Sequence, residues 1–350
     1  MNSMKKSVGV SLIIPCYNCE KYLDDLLMSL VNQTMHNFEV ICVNDGSTDN
    51  TKKILESYAK KYKFIKVINK KNGGQYKARK DGIFAAEGEY IGFLDSDDKV
   101  KPEYVEKLYK AVTSKKADIA VCGYSRINAA TGKLIVDEMC NPRHKTIYPQ
   151  KNPGLLLEVN SAIWNKIFKA ELVKNNVFFE TAPKGYEDMV LLQYVYRQTK
   201  KIVFVEESLY DYMIIETSTI NNIKKELVQE MYDALTDIRK KYVEENLSED
   251  FMYYADANAF LHLGISIPFR LLTDKTANFS KVLKEITTFL DKNNPLWRNN
   301  KYIKLGYIHK NKGTNRKLFI VQKIYKMHMM KCFMKTYNFV INKFNIDIKW

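Results

Sequence analysis

The chain lacks the marks of a membrane-spanning, disulfide-framed or low-complexity protein. No stretch of its 350 residues approaches the ~18 uninterrupted apolar residues that a spanning helix needs. The basic start, Met1 to Lys6, leads into only about eight mostly apolar residues ending at Pro15. That run reads as a strand, not a signal peptide, and the expected location is the cytoplasm. Six cysteines are too few for a disulfide framework, and reduced thiols are expected. Cys16 and Cys19 form a C-x-x-C, but a zinc site needs a second ligand pair and none is near, so both read as incidental thiols. With only 14 Gly and 8 Pro and no visible repeat, the chain reads as folded throughout.

Acidic residues are nearly absent from one region. Residues 301 to 350 hold 12 Lys and Arg against the single acid Asp347, so this tail supplies +11 of the net +15. The remaining 300 residues are only mildly basic, which argues against a nucleic-acid groove through the main body and for a dedicated cationic tail.

What is present, from Val8 onward, is a rhythm of short continuous apolar runs alternating with segments of helical period. That is the pattern of a mostly parallel sheet covered on both faces. Strands are expected at Val8 to Pro15, Phe38 to Asn44, Ile65 to Asn69, Tyr90 to Leu94 and Ile119 to Tyr124. Helices are expected at Tyr22 to Gln33, with Leu23, Leu26, Leu27 and Leu30 on one face, and at Thr48 to Lys61, Gln75 to Ala86 and Pro102 to Lys115. Residues 129 to 160 read as a loop or flap. Beyond it regularity returns with Trp164 to Phe168, followed by a helix over Asp188 to Gln198 and a hairpin of Ile202 to Val205 with Leu209 to Ile215. From about Ile223 only helical patterns remain, which places a boundary near residue 220: a domain of 1–220 and a helical region of 221–350.

Open α/β sheets bind ligands beyond the carboxyl ends of their strands. Four successive strand ends here are polar: Pro15-Cys16-Tyr17-Asn18, Asn44-Asp45-Gly46-Ser47-Thr48-Asp49, Asn72-Gly73-Gly74 and Asp95-Ser96-Asp97-Asp98. Three carboxylates within four residues repel one another unless a cation or hydrogen bonds compensate them, and a hard divalent ion takes one or two carboxylates plus substrate phosphates. The competing reading of the triplet is a solvated acidic turn.

The joint pattern decides between them. Ser11 to Asn18, Val43 to Asp49, Ala78 to Gly82 and Glu87 to Asp98 together closely resemble glycosyltransferase family 2, over about residues 8 to 218. The resemblance implies a GT-A (Rossmann-like) fold, with nucleotide-sugar binding over 8–125 and the acceptor side over 160–218. It implies that Pro15 and Tyr17 line the base pocket, that Asp45 accepts from the pyrimidine N3–H, that Arg79 lies near the nucleotide and that Asp95 binds ribose. Asp97 would ligate Mn²⁺ or Mg²⁺, with Asp98 as a supporting acid. Asp49 and Asn18 carry two readings each, ligand contact or local cap and turn.

Trp164-Asn-Lys-Ile-Phe-Lys169 and Gly185-Tyr-Glu-Asp188 match the family's acceptor-side motifs, which implies Asp188 as general base with Glu187 as its competitor. A carboxylate suits deprotonation of an acceptor hydroxyl opposite the leaving group. Trp164 reads either as a sugar-stacking ring or as core. One departure stands out. Many relatives carry an arginine before a serine in the segment that here reads Leu209 to Ser218, whereas this chain has Met213 and Ile215 there; Lys166 or the loop from Glu216 to Ile220 would have to substitute.

The expected function is therefore inverting transfer of a hexose or N-acetylhexosamine from a UDP-sugar, or else a dTDP-sugar, to a glycan or lipid-linked glycan acceptor. The alternative is an inactive nucleotide-sugar or glycan-binding module. Leu318, Val321, Tyr325, Met329 and Cys332 recur at helical spacing, with Lys317, Lys323, Lys331 and Lys335 mostly off that face. Such a helix lies on an anionic membrane surface or packs on the catalytic domain with its lysines solvated.

Overall fold

The computed structural model describes residues 7–176, 183, 185–215, 226–271, 278–311 and 314–344. The chain divides into two compact units. The first comprises residues 1–148, 161–179 and 191–218, and the second 149–160, 180–190 and 219–350. Two short segments from within the expected first domain therefore belong to the second unit.

The first unit is built on a sheet of β1 (Val10–Cys16), β2 (Phe38–Asp45), β3 (Ile65–Lys70), β4 (Tyr90–Phe93), β5 (Lys99–Val100), β6 (Ile119–Asn128), β7 (Leu134–Glu138), β8 (Thr146–Ile147), β9 (Lys166–Lys169) and β10 (Ile202–Ile214). Its order is β3-β2-β1-β4-β9-β6-β10-β5, with β7 on β6 and β8 on β10. The helices α1 (Leu23–Val31), α2 (Thr51–Lys61), α3 (Gln75–Ala85), α4 (Tyr104–Lys115), α5 (Ala170–Lys174) and α6 (Glu187–Tyr196) follow the strands, α6 running from the second unit into the first. Leu23, Leu26, Leu27 and Leu30 of α1 are buried, as their spacing predicts. They pack with Leu12, Ile14, Val40 and Leu55 in one core.

Strands β1 to β4 pair in parallel. The other half of the sheet is mixed, because β9 inserts antiparallel between β4 and β6. The expected hairpin at 202–215 is instead the single strand β10, parallel to β6 along its whole length, with irregularities between Val205 and Ser208 and between Ser208 and Tyr210. There the exposed pair Glu206 and Glu207 interrupts the apolar run and mimics a turn. The expected loop at 129–160 contains β7, whose Leu134, Ile135 and Val136 are all exposed and so show no alternation.

The second unit contains α7 (Glu226–Glu244), α8 (Glu249–Ala259), a π-helical segment Phe260–Ser266, α9 (Ile267–Leu271), α10 (Phe279–Asn293), α11 (Leu305–Lys310), α12 (Thr314–Lys326) and α13 (Met330–Phe344). Its core centres on Trp297, stacked on Phe260 at 4.8 Å and met edge-on by Tyr325. Leu318, Val321 and Tyr325 of α12 face this core, and the Tyr325 hydroxyl donates to Gly264 O at 2.8 Å. The apolar face of α12 is thus packed inside its own unit. The predicted stripe ends there, because His328, at φ +56°, breaks the helix and leaves Met329 and Cys332 exposed. No helix among the described residues is long and apolar enough to cross a membrane.

Candidate functional site

Asp45 closes β2 and is 3% exposed. Its Oδ1 accepts from Gly73 N at 2.8 Å and from the Lys70 ammonium at 3.3 Å, while Oδ2 accepts from Gly74 N at 2.8 Å. Only glycines suit this crossing. Gly74 has φ +91° as it opens α3, and a Cβ on Gly46, at φ +73°, would lie 2.6 Å from Asn72 N. Along α3, Arg79 is 5% exposed and its Nη2 donates to Asp95 Oδ1 at 2.9 Å; Gln75 Nε2 reaches the same oxygen at 3.4 Å. One helix therefore ties the acid at the end of β2 to the acid after β4.

The three aspartates after β4 have separate fates. Asp98 is turned inward, 1% exposed, and accepts from the Tyr210 hydroxyl at 2.6 Å and from Met213 N at 2.7 Å. That hydroxyl also accepts from Asp95 N at 3.3 Å, so β10 clamps the acidic turn. Burial, then the charges of Asp97 and Asp95, push the Asp98 carboxyl well above the usual carboxylate range. Asp97 is half-buried, and burial raises its carboxyl too, with only its own amide in opposition. No cationic side chain reaches it among the described residues.

Nearby polar residues make local hydrogen bonds. Asn18, at φ +48°, accepts from Thr48 N at 2.8 Å through its side chain. Asp49 accepts from Thr51 N, the first residue of α2, at 3.0 Å and from Glu20 N at 3.1 Å. Pro15 is buried at the end of β1 and Tyr17 beside it is 52% exposed. Trp164 is 8% exposed, stacked on Tyr210 at 4.4 Å and Tyr212 at 5.3 Å and edge-on to Tyr124 at 4.7 Å. Its surroundings correct the sugar-stacking reading in favour of core. Lys166 is fully buried and donates to Ala162 O at 2.6 Å and Asn165 Oδ1 at 2.8 Å, so this conformation does not present it to a phosphate. The suggested loop from Glu216 to Ile220 lies outside the described residues.

In the second unit, Glu187 and Asp188 occupy the first turn of α6 and are half-buried. The Glu187 carboxylate accepts from Gly185 N at 2.7 Å. Tyr186 anchors the turn: its ring is buried, edge-on to His262 at 5.7 Å and under the Arg270 guanidinium at 5.0 Å.

Sequence reading missed Lys70, Gln75 and Tyr210. Tyr210 left no signal, being one apolar-looking residue in an alternating strand; Lys70 and Gln75 do flank the glycine pair that was singled out. Among the described residues no three His, Cys, Asp or Glu side chains form a metal cage. A partly buried carboxylate with no protein cation beside it does fit a hard divalent ion whose other ligands are phosphates and water.

Residues 11–171 match Glycosyl transferase family 2. The putative glycosyltransferase EpsH of Bacillus subtilis is 31% identical over 262 residues, covering 73% of this chain and 76% of EpsH. Glycosyltransferase GlyA of Streptococcus pneumoniae is 32% identical over 236 residues, 65% of this chain but 34% of GlyA, so the chain spans about a third of that relative. The crystal structure of S. aureus TarS 1-349 in complex with UDP-GlcNAc superposes with TM-score 0.68 at 20% identity, covering 91% of this chain and 92% of that one, and shares the GT-A fold. The chain belongs to glycosyl transferase family 2.

Proposed function

We propose that the protein transfers a hexose or N-acetylhexosamine from a UDP-sugar to an acceptor hydroxyl, with inversion, in the synthesis of a surface polysaccharide, glycolipid or cell-wall glycan. The observation that carries this reading is Asp97, a half-buried carboxylate raised by burial and with no cation beside it among the described residues, two positions from the Arg79-bound Asp95. The UDP-GlcNAc bound in the TarS structure supports a UDP-sugar donor.

In this reading Pro15 and Tyr17 flank the pyrimidine. Asp45 Oδ1 already accepts two donors and Oδ2 only one, so Oδ2 has the lone pair that receives the N3–H. Asp95 binds ribose while Arg79 fixes its rotamer. Asp97 would hold Mn²⁺ or Mg²⁺, which when bound offsets charge on the leaving diphosphate. Asp188 removes the acceptor proton as the hydroxyl oxygen attacks the anomeric carbon, and the bond to UDP breaks on the opposite face. Glu187, tied to Gly185 N, is the weaker candidate for that base. The exposed Lys317, Lys323, Lys331 and Lys335 suit an anionic membrane bearing lipid-linked acceptors, at about 1 kcal/mol per lysine.

The test is a hydrolysis screen across UDP- and dTDP-sugars with Mn²⁺ or Mg²⁺. At least one UDP-sugar should be turned over, and Asp188→Asn should lower acceptor-dependent transfer by about 10² to 10⁴. Nucleotide-sugar binding without turnover of any donor would favour the inactive-module reading.

A further inference from the structure

Asp45 and Lys70 are register partners at the carboxyl ends of β2 and β3. On parallel strands such partners point to the same face of the sheet, so the lysine rises beside the aspartate. Its ammonium lies 3.3 Å from Asp45 Oδ1 and 3.4 Å from Asp81 Oδ2 on α3, and its side chain stays 20% exposed. A Cβ on Gly73 would come within 3.0 Å of that nitrogen, so the glycine that donates its amide to Asp45 also leaves the ammonium its place. An ammonium carries three N–H donors. Two face these carboxylates, and no third acceptor is engaged among the described residues. Asp45 does not depend on the lysine for hydrogen bonds, because two glycine amides reach it at 2.8 Å each. What Lys70 adds is a partly exposed donor beside a carboxylate acceptor.

Uracil presents the reverse of that pair, an N3–H donor flanked by the carbonyl acceptors O2 and O4. An aspartate alone selects uracil incompletely, since a carboxylate also accepts from the exocyclic amino group of cytosine. We propose that Lys70 is a specificity-determining residue that donates to uracil O4 while Asp45 Oδ2 receives the N3–H, a role that rests on the donor reading above.

The sheet order selects O4 over O2. The strands run β3-β2-β1-β4, so Lys70 on β3 lies beyond Asp45 on the side away from the β4 end, where Asp95 takes the ribose. O2 sits beside the ring nitrogen that bears the ribose, and O4 is the far carbonyl. With the ribose anchored, cytosine in the same register meets two repulsions. Its N3 lone pair faces the Asp45 carboxylate, and its amino group points N–H bonds at an ammonium. Discrimination of this kind comes from groups left opposed as much as from groups paired.

The experiment is calorimetry of the full chain, with Mn²⁺ present, against UDP, CDP and the two UDP analogues that carry sulfur in place of O4 or of O2. Sulfur is a weak acceptor, so in wild type the O4 replacement should weaken binding about tenfold and the O2 replacement much less. CDP should bind about a hundredfold more weakly than UDP. Lys70→Met should weaken UDP about tenfold or more, bind UDP and the O4-sulfur analogue alike, and narrow the preference for UDP over CDP. Lys70→Gln keeps a neutral donor and should fall between the two; it replaces Lys70→Met if melting shows that variant unfolded. The proposal is overturned if wild type binds the O4-sulfur analogue as tightly as UDP. It is equally overturned if the Lys70 variants weaken UDP yet keep the full O4-sulfur penalty, the result expected of a lysine that only steadies Asp45. A wild-type protein that binds neither UDP nor its analogues contradicts the donor reading itself, whereas UDP binding without any response to sulfur at O4 contradicts the role of Lys70 alone.

Discussion

Two carboxylate clusters lie at opposite ends of the same parallel strands, and they are built on opposite principles. At the amino-terminal end Glu39 is 3% exposed, yet its charge is offset: the Lys66 ammonium lies 2.7 Å from Oε2, and Oε1 accepts from the Ser11 hydroxyl at 2.6 Å and Glu87 N at 2.7 Å. Burial pushes its carboxyl up, but the Lys66, Ser11 and Glu87 donors outweigh it and the net shift is downward. At the carboxyl end, Asp97 and Asp98 are both raised, by burial first and, for Asp98, by the neighbouring aspartates. A fold that pairs a buried acid with a lysine at one end, and at the other leaves two raised acids with no ion-pair partner among the described residues, supports the proposal that an outside cation binds at the second end.

The contrast breaks first at Asp97. Asp97→Asn should cut donor turnover by roughly a hundredfold or more, the several kcal/mol that a metal contributes to leaving-group stabilisation, while thermal stability is held or raised. Glu39→Gln should do the reverse. It should destabilise by about 2 kcal/mol in urea unfolding, because Lys66 loses the nearer of its two anions and a buried acceptor is replaced, with turnover per folded molecule unchanged.

The pH dependence sharpens the same contrast. Glu39 has a depressed value in the folded state, so its stabilisation is present above the unfolded carboxylate value and is lost as pH falls through the folded one. Asp98 has a raised value, so its penalty appears as pH rises from the unfolded value through the folded one. Stability against pH should therefore lose part of its acid limb in Glu39→Gln and part of its neutral-side decline in Asp98→Asn. The smallest effect belongs to Tyr210→Phe, which removes one donor from Asp98 and should cost about 1 kcal/mol.

The parallel half of the fold was legible because β1, β2 and β4 are short, almost wholly buried runs, and each ends in polar residues that local pattern exposes. The rest depended on pairings between distant segments. Nothing in Lys166 to Lys169 says that it inserts antiparallel between β4 and β6, and the bulge at Glu206 and Glu207 has the composition of a turn. At the site, the motif named the acids but not what holds them. That Asp45 accepts from two glycine amides, and that Tyr210 bridges Asp95 and Asp98, are properties of backbone geometry and of residues more than a hundred positions away. Trp164 was ambiguous because a large amphipathic ring suits a core and a sugar equally, until its three tyrosine neighbours are known. The tail's stripe ran past its helix because no residue type announces the left-handed turn at His328.

The central claim, that Asp97 is the carboxylate left for an external cation, is tested most directly by thermal melting of the wild-type protein and Asp97→Asn with UDP, with and without Mn²⁺. Wild type should gain about 2.7 kcal/mol at a hundredfold excess of UDP over its Kd when Mn²⁺ is present and much less without it, and Asp97→Asn should show no Mn²⁺-dependent gain. Equal UDP stabilisation of both proteins, with or without Mn²⁺, would contradict it.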